Sequence, residues 1–256
     1  MSFIDWIFTT YPGATKVQPW GIAHILTLLG CIALIVVLAL IFKNKDKSTK
    51  YKVLWVLVGL ILFFEIARRV INLVKTSEFT LTGVLGTLLP RPWCAISCWA
   101  LIIAACFRKK FLYNFASISA LLCAIIFFAY PGVGFKSPFF GFDDLYSVVT
   151  HALLLITSIS LITLGFTNFR YKKVWKVVLC FVVIFAYAFL EIYVLKIEAD
   201  PLYFMPGNDV MDIIGVNHSL YLVLYSIFLL VYVNLFYVIN EFKRKKAKKE
   251  RLENNN

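Results

Sequence analysis

The segment LLPRPWCAISC, residues 88–98, decides how this sequence folds. Two prolines and an arginine precede an apolar stretch, and Cys94 follows Pro92 by two residues. Proline lacks a backbone N–H donor, so it fits the start of a helix, and it disfavours helix at the residue before it. We therefore expect a helix to begin near Pro92, with Cys94 in its first turn.

The composition of the whole chain indicates an integral membrane protein. Of its 256 residues, 61% are hydrophobic and only 16% are charged. Its mean hydropathy is +0.82. A membrane-spanning helix needs about 20 mostly apolar residues. We predict an all-α polytopic bundle of seven transmembrane helices, at residues 20–42, 53–74, 85–107, 111–130, 144–167, 174–196 and 217–240.

The predicted spans form one transmembrane domain at residues 20–240, with a short segment on either side. Residues 1–19 contain several aromatic side chains and no basic region before an apolar run, so we expect them to lie at the membrane interface. Residues 241–256 form a basic tail, which we expect to lie in the cytoplasm.

The basic residues indicate the orientation of the bundle. Four clusters, in alternate connections and the tail, hold 19 of the 26 basic residues: Lys43–Lys52, Arg108–Lys110, Arg170–Lys176 and Lys243–Arg251. Positively charged loops stay in the cytoplasm, so the N-terminus should lie outside the cell membrane and the C-terminus inside. This distribution of the net charge of +12 favours phospholipid headgroups as partners, with no nucleic acid.

The six cysteines all fall within predicted spans, which is not the pattern of a disulfide framework. Cys94 and Cys98 are one helical turn apart, but no histidine or second thiol pair completes a zinc motif. We therefore expect neither a metal nor a cofactor.

Ionisable residues inside spans are costly, so each is a candidate for a functional site. At about 1.5 Å of rise per residue, they lie roughly 18–27 Å above the cytoplasmic ends of their helices. They should therefore form one polar layer in the outer half of the membrane. For any single residue a structural role remains open, such as an ion pair between Glu65 and Arg69 at i,i+4. The candidates are His24, Glu65, Arg68, Arg69, Cys94, His151 and Glu191.

Cys94 has the surroundings of a reactive thiol in this interpretation. The N-terminal end of a helix dipole and the neighbouring Arg91 would both favour the thiolate, which is the nucleophilic form. His151, at a similar depth on another helix, could act as its base. The alternative is a small packed residue, which is the usual role of a cysteine in a membrane helix.

Five segments occur in an order that resembles a known family: AHILTLL, FEIARRV, LLPRPWCAISC, THALLLI and ADPLYFMPGN. They are similar to the YwaF-like integral membrane proteins, and more distantly to a eukaryotic transmembrane acyltransferase that remodels ether phospholipids. The resemblance implies acyl transfer, with Cys94 and His151 as the catalytic pair. The family pattern often has a histidine two residues before the cysteine; here Pro92 stands there, so the base role would fall to His151.

The leading hypothesis is an intramembrane lipid acyltransferase. Cys94 would accept an acyl chain from an outer-leaflet phospholipid and pass it to an acceptor. Arg68, Arg69 or Arg91 would bind the lipid phosphate. Glu65 and Glu191 would orient the basic groups, and His24 would line the cavity. The alternative is a transporter or a membrane protein that binds a lipid or small ligand at the same polar layer.

Overall fold

The computed structural model describes residues 20–75, 80–130, 142–197, 202–203, 205–207, 211 and 214–253. Every regular element in these ranges is helical, which confirms the all-α prediction. A 3₁₀ turn at Tyr171–Lys173 leads into the helix Val174–Phe189, and a π-helical turn at Leu190–Val194 follows that helix. The predicted interfacial segment 1–19 lies outside the described residues. The principal helices are α1 (Ile22–Phe42), α2 (Lys47–Lys75), α3 (Leu81–Leu88), α4 (Trp93–Phe107), α5 (Lys110–Ala129), α6 (Phe142–Thr163), α7 (Val174–Phe189) and α8 (His218–Glu253).

Five helical segments in the described part of the chain are long and apolar enough to cross a membrane: Ile22–Phe42, Lys110–Ala129, Asp144–Thr163, Tyr171–Val194 and His218–Ala247. A sixth span results if α3 and α4, which are bent by 59°, count together as one broken span. The chain is thus a multi-pass membrane protein. α2 has the length of a span, but Glu65, Arg68 and Arg69 interrupt its apolar stretch. Apolar length alone therefore does not confirm seven spans.

The third predicted span, residues 85–107, is not one continuous helix. α3 ends at Leu88, and Leu89 takes an extended conformation with ψ of 145°. α4 begins at Trp93 with Pro92 as its N-cap. The prolines cause this break, because each removes an N–H donor and disfavours helix at the preceding residue. The predicted helix start near Pro92 and the placement of Cys94 in the first turn are both confirmed.

The chain divides into two compact units, and the boundary along the sequence lies between Thr167 and Asn168. In the first unit α5 packs against α4 and α6, α1 packs against α6, and α2 packs against α4 and α6. α4 and α5 bury several alanines, and small side chains let membrane helices approach closely. The fully buried alanines are Ala95, Ala104 and Ala105 on α4 and Ala116, Ala120 and Ala124 on α5.

A buried chain of polar side chains joins the first turn of α4 to α5. The indole Nε1 of Trp93 donates to Ser119 Oγ at 2.8 Å. Ser97 Oγ lies 2.8 Å from Ser119 Oγ and 3.4 Å from Cys123 Sγ. These hydrogen bonds between helices fix the height of α4 against α5, which apolar packing alone would leave adjustable.

α2 begins at a capped N-terminus. The Asp46 carboxylate accepts hydrogen bonds from the Thr49 hydroxyl and from the Thr49 backbone N–H, the latter at 3.0 Å. The Thr49 hydroxyl, followed by the Thr49 amide, lowers the pKa of the Asp46 carboxyl below its ordinary value. Asp46 therefore keeps its negative charge and serves as the N-cap.

The second unit contains α7, its π-helical turn and α8. α7 buries Val177, Phe181, Ile184 and Ala188, which repeat at helical spacing on one face. α8 continues without interruption to Glu253. The basic segment predicted to begin at residue 241 is therefore an extension of the last helix.

Ser119→Ala tests the polar connection between α4 and α5. The variant removes the acceptor for Trp93 Nε1 and a partner of Ser97, so we expect about 1 kcal/mol less stability against unfolding in mixed micelles. Ser226→Ala is the control, because that hydroxyl bonds only to Leu222 O on its own helix at 2.8 Å. Equal losses in the two variants would contradict this role of Ser119.

Candidate functional site

Glu65 is buried within α2 and both of its carboxylate oxygens are bonded. Oε2 forms an ion pair with Arg69 Nη1, one helical turn away. Oε1 accepts a hydrogen bond of 2.6 Å from the Tyr146 hydroxyl on α6. The side chain of Glu65 is 0% exposed and that of Arg69 is 11% exposed. The i,i+4 ion pair, which the sequence left open as a structural role for these residues, is therefore present, and Glu65 also bonds to a second helix.

Three arginines donate to backbone carbonyls at the break between α3 and α4. Arg69 Nε donates to Leu88 O at 2.9 Å, and Arg68 Nη2 donates to Arg91 O at 3.3 Å. Arg91 Nε donates to Gly86 O at 3.0 Å. The last carbonyls of a helix have no intrahelical partner and carry partial negative charge, so guanidinium groups complement them. We call Arg68, Arg69 and Arg91 the arginine cluster.

Aromatic rings lie against two members of the arginine cluster. The Arg68 guanidinium lies over the Tyr146 ring, 5.2 Å from its centre. The Arg69 guanidinium lies over the Trp99 ring at 5.5 Å. A ring face attracts a cation and does so more strongly away from water. Tyr146 and Trp99 were not among the sequence candidates, which were charged residues, histidines and a cysteine within predicted spans.

Cys94 is the second residue of α4 and keeps part of its surface accessible, whereas Ala95 and Cys98 beside it are buried. Its thiol interacts electrostatically with Arg68 and Glu65, and it lies beside the backbone amides of Cys94 and Ala95. The sequence suggested Arg91 as the neighbouring cation. In the structure the Arg91 guanidinium donates to Gly86 O, and Arg68 is the arginine that interacts with the thiol.

His151 is oriented by α6 and α5. Its Nδ1 lies 2.7 Å from the backbone oxygen of Ser147, so in the neutral ring Nδ1 bears the proton and Nε2 has a lone pair. The ring is stacked on Phe127, with centres 3.9 Å apart and planes 6° apart. Arg68 interacts electrostatically with this imidazole as well as with Cys94. Arg68 is therefore a neighbour of both proposed catalytic residues.

The two remaining candidates have other surroundings. His24 is 1% exposed and contacts the rings of Trp20 and Phe128, with centres 4.9 and 5.9 Å away. Glu191 lies in the π-helical turn of the second unit, where it accepts a hydrogen bond of 2.8 Å from the Tyr187 hydroxyl. The structure thus brings together six candidates in the first unit: Glu65, Arg68, Arg69, Arg91, Cys94 and His151.

This site combines a thiol, an imidazole and a guanidinium. Within the described ranges, no three His, Cys, Asp or Glu side chains are arranged to hold a metal ion. The three groups present can perform nucleophilic acyl chemistry or bind an anionic lipid.

These features define a class of protein, namely a helical membrane protein with a charged cluster beside a break between two apolar helices. A model of the TMEM164 family matches residues 19–237, so the chain belongs to that family. The match contains all of the candidate site residues; it does not confirm the YwaF-like label. No curated protein matches the chain, and no solved structure does.

Glu65→Gln tests whether the buried carboxylate holds the arginine cluster together. The variant leaves Arg69 beside a neutral amide, and removing one partner of a buried ion pair costs about 3–5 kcal/mol. We expect a loss of that order in the free energy of unfolding, measured in mixed micelles.

Glu241→Gln is the matched control, because its partner Arg244 is also an arginine and the pair is exposed at 3.4 Å. An exposed pair contributes at most about 1 kcal/mol. A loss no larger for Glu65→Gln than for Glu241→Gln would show that the buried pair is not needed.

Proposed function

We propose that the protein is an intramembrane lipid acyltransferase of the cell membrane, with Cys94 as nucleophile and His151 as base. The observation that supports this best is Arg68, which interacts electrostatically with both side chains. The charge of Arg68 opposes the cost of forming a thiolate at this buried position. The proton on Nδ1 leaves Nε2 of His151 able to accept another.

The first half-reaction forms a thioester. His151 Nε2 takes the proton of the Cys94 thiol, and the sulfur attacks the carbonyl carbon of a phospholipid ester. The bond between that carbon and the ester oxygen breaks, and the leaving oxygen takes the proton from His151. The products are an acyl-cysteine and a lysophospholipid. The Cys94 backbone amide, in the first turn of α4, suits the negative oxygen that develops during the attack.

The second half-reaction transfers the acyl chain. His151 takes a proton from the hydroxyl of an acceptor, whose oxygen attacks the thioester carbon. The carbon–sulfur bond breaks, and the proton passes back to the sulfur. The cycle needs no oxidant, metal or cofactor. Splitting the transfer into two steps is the advantage of covalent catalysis.

Arg68 is the member of the arginine cluster that suits the lipid phosphate best. Arg69 bonds to Glu65 and to Leu88 O, and Arg91 bonds to Gly86 O. Arg68 makes one long backbone hydrogen bond of 3.3 Å and is the cluster member beside Cys94. A guanidinium has five N–H donors, so Arg68 can bind phosphate oxygens as well. Glu65 orients the cluster.

The roles predicted for His24 and Glu191, as lining and orienting residues, stay predictions. His24 in the first unit has its own aromatic contacts. Glu191 lies in the second unit.

The proposal includes seven spans, with the N-terminus outside and the C-terminus in the cytoplasm. α2 has 29 residues, a length of about 43 Å, which exceeds the thickness of a bilayer core. Its charged residues bond within the first unit, so they need not face lipid. α2 and the broken span then join the five apolar spans. The basic ends of α1, α2, α4 and α5 would all lie in the cytoplasm.

Cys94→Ser tests the nucleophile. A phospholipid probe with an alkyne-tagged acyl chain should label the wild-type protein through a bond that neutral hydroxylamine cleaves, as expected for a thioester. We expect Cys94→Ser to abolish this label and Cys98→Ser to retain it, because Cys98 is buried one turn deeper in α4. An unlabelled wild type, or full labelling of Cys94→Ser, would overturn the proposal.

A transporter or lipid-binding protein is the second candidate, because a buried cluster of charged side chains can bind an anionic ligand without a covalent step. In that case Cys94→Ser would leave lipid binding or transport intact, whereas Arg68→Gln would abolish it. Under the acyltransferase proposal, Cys94→Ser abolishes turnover. Arg68→Gln raises KM for the phospholipid and also lowers kcat, because it removes the cation near the thiol. Both variants should be compared at equal amounts of folded protein.

A C-terminal reporter tests the orientation. We expect a fused alkaline phosphatase to be inactive and a fused green fluorescent protein to be bright, because the former needs an extracytoplasmic location and the latter folds in the cytoplasm. A reporter inserted after Arg108, in the connection between α4 and α5, should behave in the same way. Active phosphatase at the C-terminus would exclude an odd number of spans with an external N-terminus.

A further inference from the structure

The end of the first unit opposite Cys94 has an unusual concentration of positive charge. Two segments meet there, Lys43–Lys52 before and within α2, and Arg108–Lys110 between α4 and α5. Together they contain eight basic residues and one acidic residue, Asp46. The Asp46 carboxylate is occupied by Thr49. We call these two segments the basic end.

Aromatic rings and carbonyls, rather than carboxylates, hold the charges together in the basic end. Arg108 lies over the Tyr51 ring at 4.8 Å, and Lys47 lies over the same ring at 5.8 Å. Tyr51 in turn packs edge-on against Phe166, with ring centres 5.0 Å apart. Two cations on one tyrosine repel each other, so their convergence favours an anion between or beside them.

Lys110 adds a third cation to the same place. Its Nζ donates to Gly165 O at 3.2 Å and to Phe166 O at 2.8 Å, where α6 ends. The charges of Lys110 and Lys47 are close enough to interact. α5 begins here as well, and Lys109 at its N-cap provides no side-chain cap. The partial positive charge of that helix end adds to the charge of the lysines.

Exposed apolar side chains lie directly beside this charge. Phe107, next to Arg108, is 66% exposed, and Leu40 and Ile41 at the end of α1 are also exposed. In a membrane protein such residues face the acyl chains, which places Arg108 and Lys43 at the level of the headgroups. A ligand that fits this surface has an anionic headgroup together with acyl chains.

We infer that the basic end binds an anionic phospholipid, whose headgroup phosphate bridges Lys47, Arg108 and Lys110. The bound lipid would sit against the Tyr51 ring, with its acyl chains along Phe107. This site is separate from the proposed catalytic one, because Cys94 and Arg108 are 14 residues apart on α4, a distance of roughly 21 Å. The inference does not depend on the acyltransferase proposal.

Native mass spectrometry of the full chain in detergent tests this site. Phosphatidylglycerol and phosphatidylcholine with identical acyl chains are added in equal amounts, and the bound lipids are counted. We expect phosphatidylglycerol to be preferred. The preference should fall about fivefold for each charge removed in Lys47→Gln/Lys110→Gln.

Lys172→Gln/Lys173→Gln is the matched control, because it removes two exposed charges from the second unit. This control should keep the preference. Lys110 also caps α6, so the thermal unfolding of every variant is recorded. Lys109→Gln provides a second variant. The Lys109 side chain is exposed, so this substitution removes one charge from the basic end without removing a described hydrogen bond.

Four results would overturn the inference. Equal binding of the two lipids would exclude selection of an anionic headgroup. An equal loss in the Lys172→Gln/Lys173→Gln control would assign the effect to overall charge. An unchanged preference in both Lys47→Gln/Lys110→Gln and Lys109→Gln would place the bound lipid elsewhere on the protein. Displacement of the lipid by millimolar inorganic phosphate would identify a site for free anions.

Discussion

A helix that breaks inside a membrane leaves backbone carbonyls that neither water nor lipid can satisfy. Pro90 and Pro92 break the chain between α3 and α4, which together are long and apolar enough for one span. The carbonyls at this break then need donors, and the arginine cluster provides them at Gly86, Leu88 and Arg91. The presence of three arginines within predicted spans follows from this requirement.

The arginines create a second requirement, because their charges also lie away from water. Glu65 pairs with Arg69, and the rings of Tyr146 and Trp99 lie against Arg68 and Arg69. Glu65 is the one buried carboxylate among the described residues of the first unit. It forms an ion pair with Arg69 and interacts electrostatically with Arg68 without pairing with it. The arginines that bond to the carbonyls at the helix break thus include Arg68, a cation near Cys94 whose remaining N–H donors suit the phosphate of a substrate.

Much of this arrangement follows from local rules applied to the sequence. The proline rules act over one or two residues, so they located the start of α4 within one position. Because a helix rises by a constant distance per residue, the sequence predicted similar heights for Glu65, Arg69, Cys94 and His151. Height does not specify direction around the helix axis, where consecutive residues differ by about 100°. The sequence suggested Arg91 as the neighbour of Cys94 because the two are close along the chain, although Arg68 on α2 is the arginine that interacts with it.

The contacts that sequence reasoning missed belong to neutral groups. Tyr146 has no charge to mark it as costly in a membrane, yet it bonds to Glu65 and lies under Arg68. The hydroxyl chain from Trp93 to Cys123 is equally inconspicuous in the sequence. Partners of this kind depend on which faces of α2, α4, α5 and α6 meet, and apolar patterning in a membrane specifies those faces weakly.

The short length of α4 has a consequence for how lipids could reach the protein. Its 15 residues span about 22 Å, less than the core of a bilayer. If Arg108 lies at headgroup level, as the proposed lipid site requires, Cys94 at the other end lies below the opposite surface. A phospholipid held at the basic end would then not bring its ester to Cys94, because the two positions would face different leaflets. The proposed acyl donor and the proposed anionic lipid are therefore different molecules, and the first would enter beside the break that the arginine cluster stabilises.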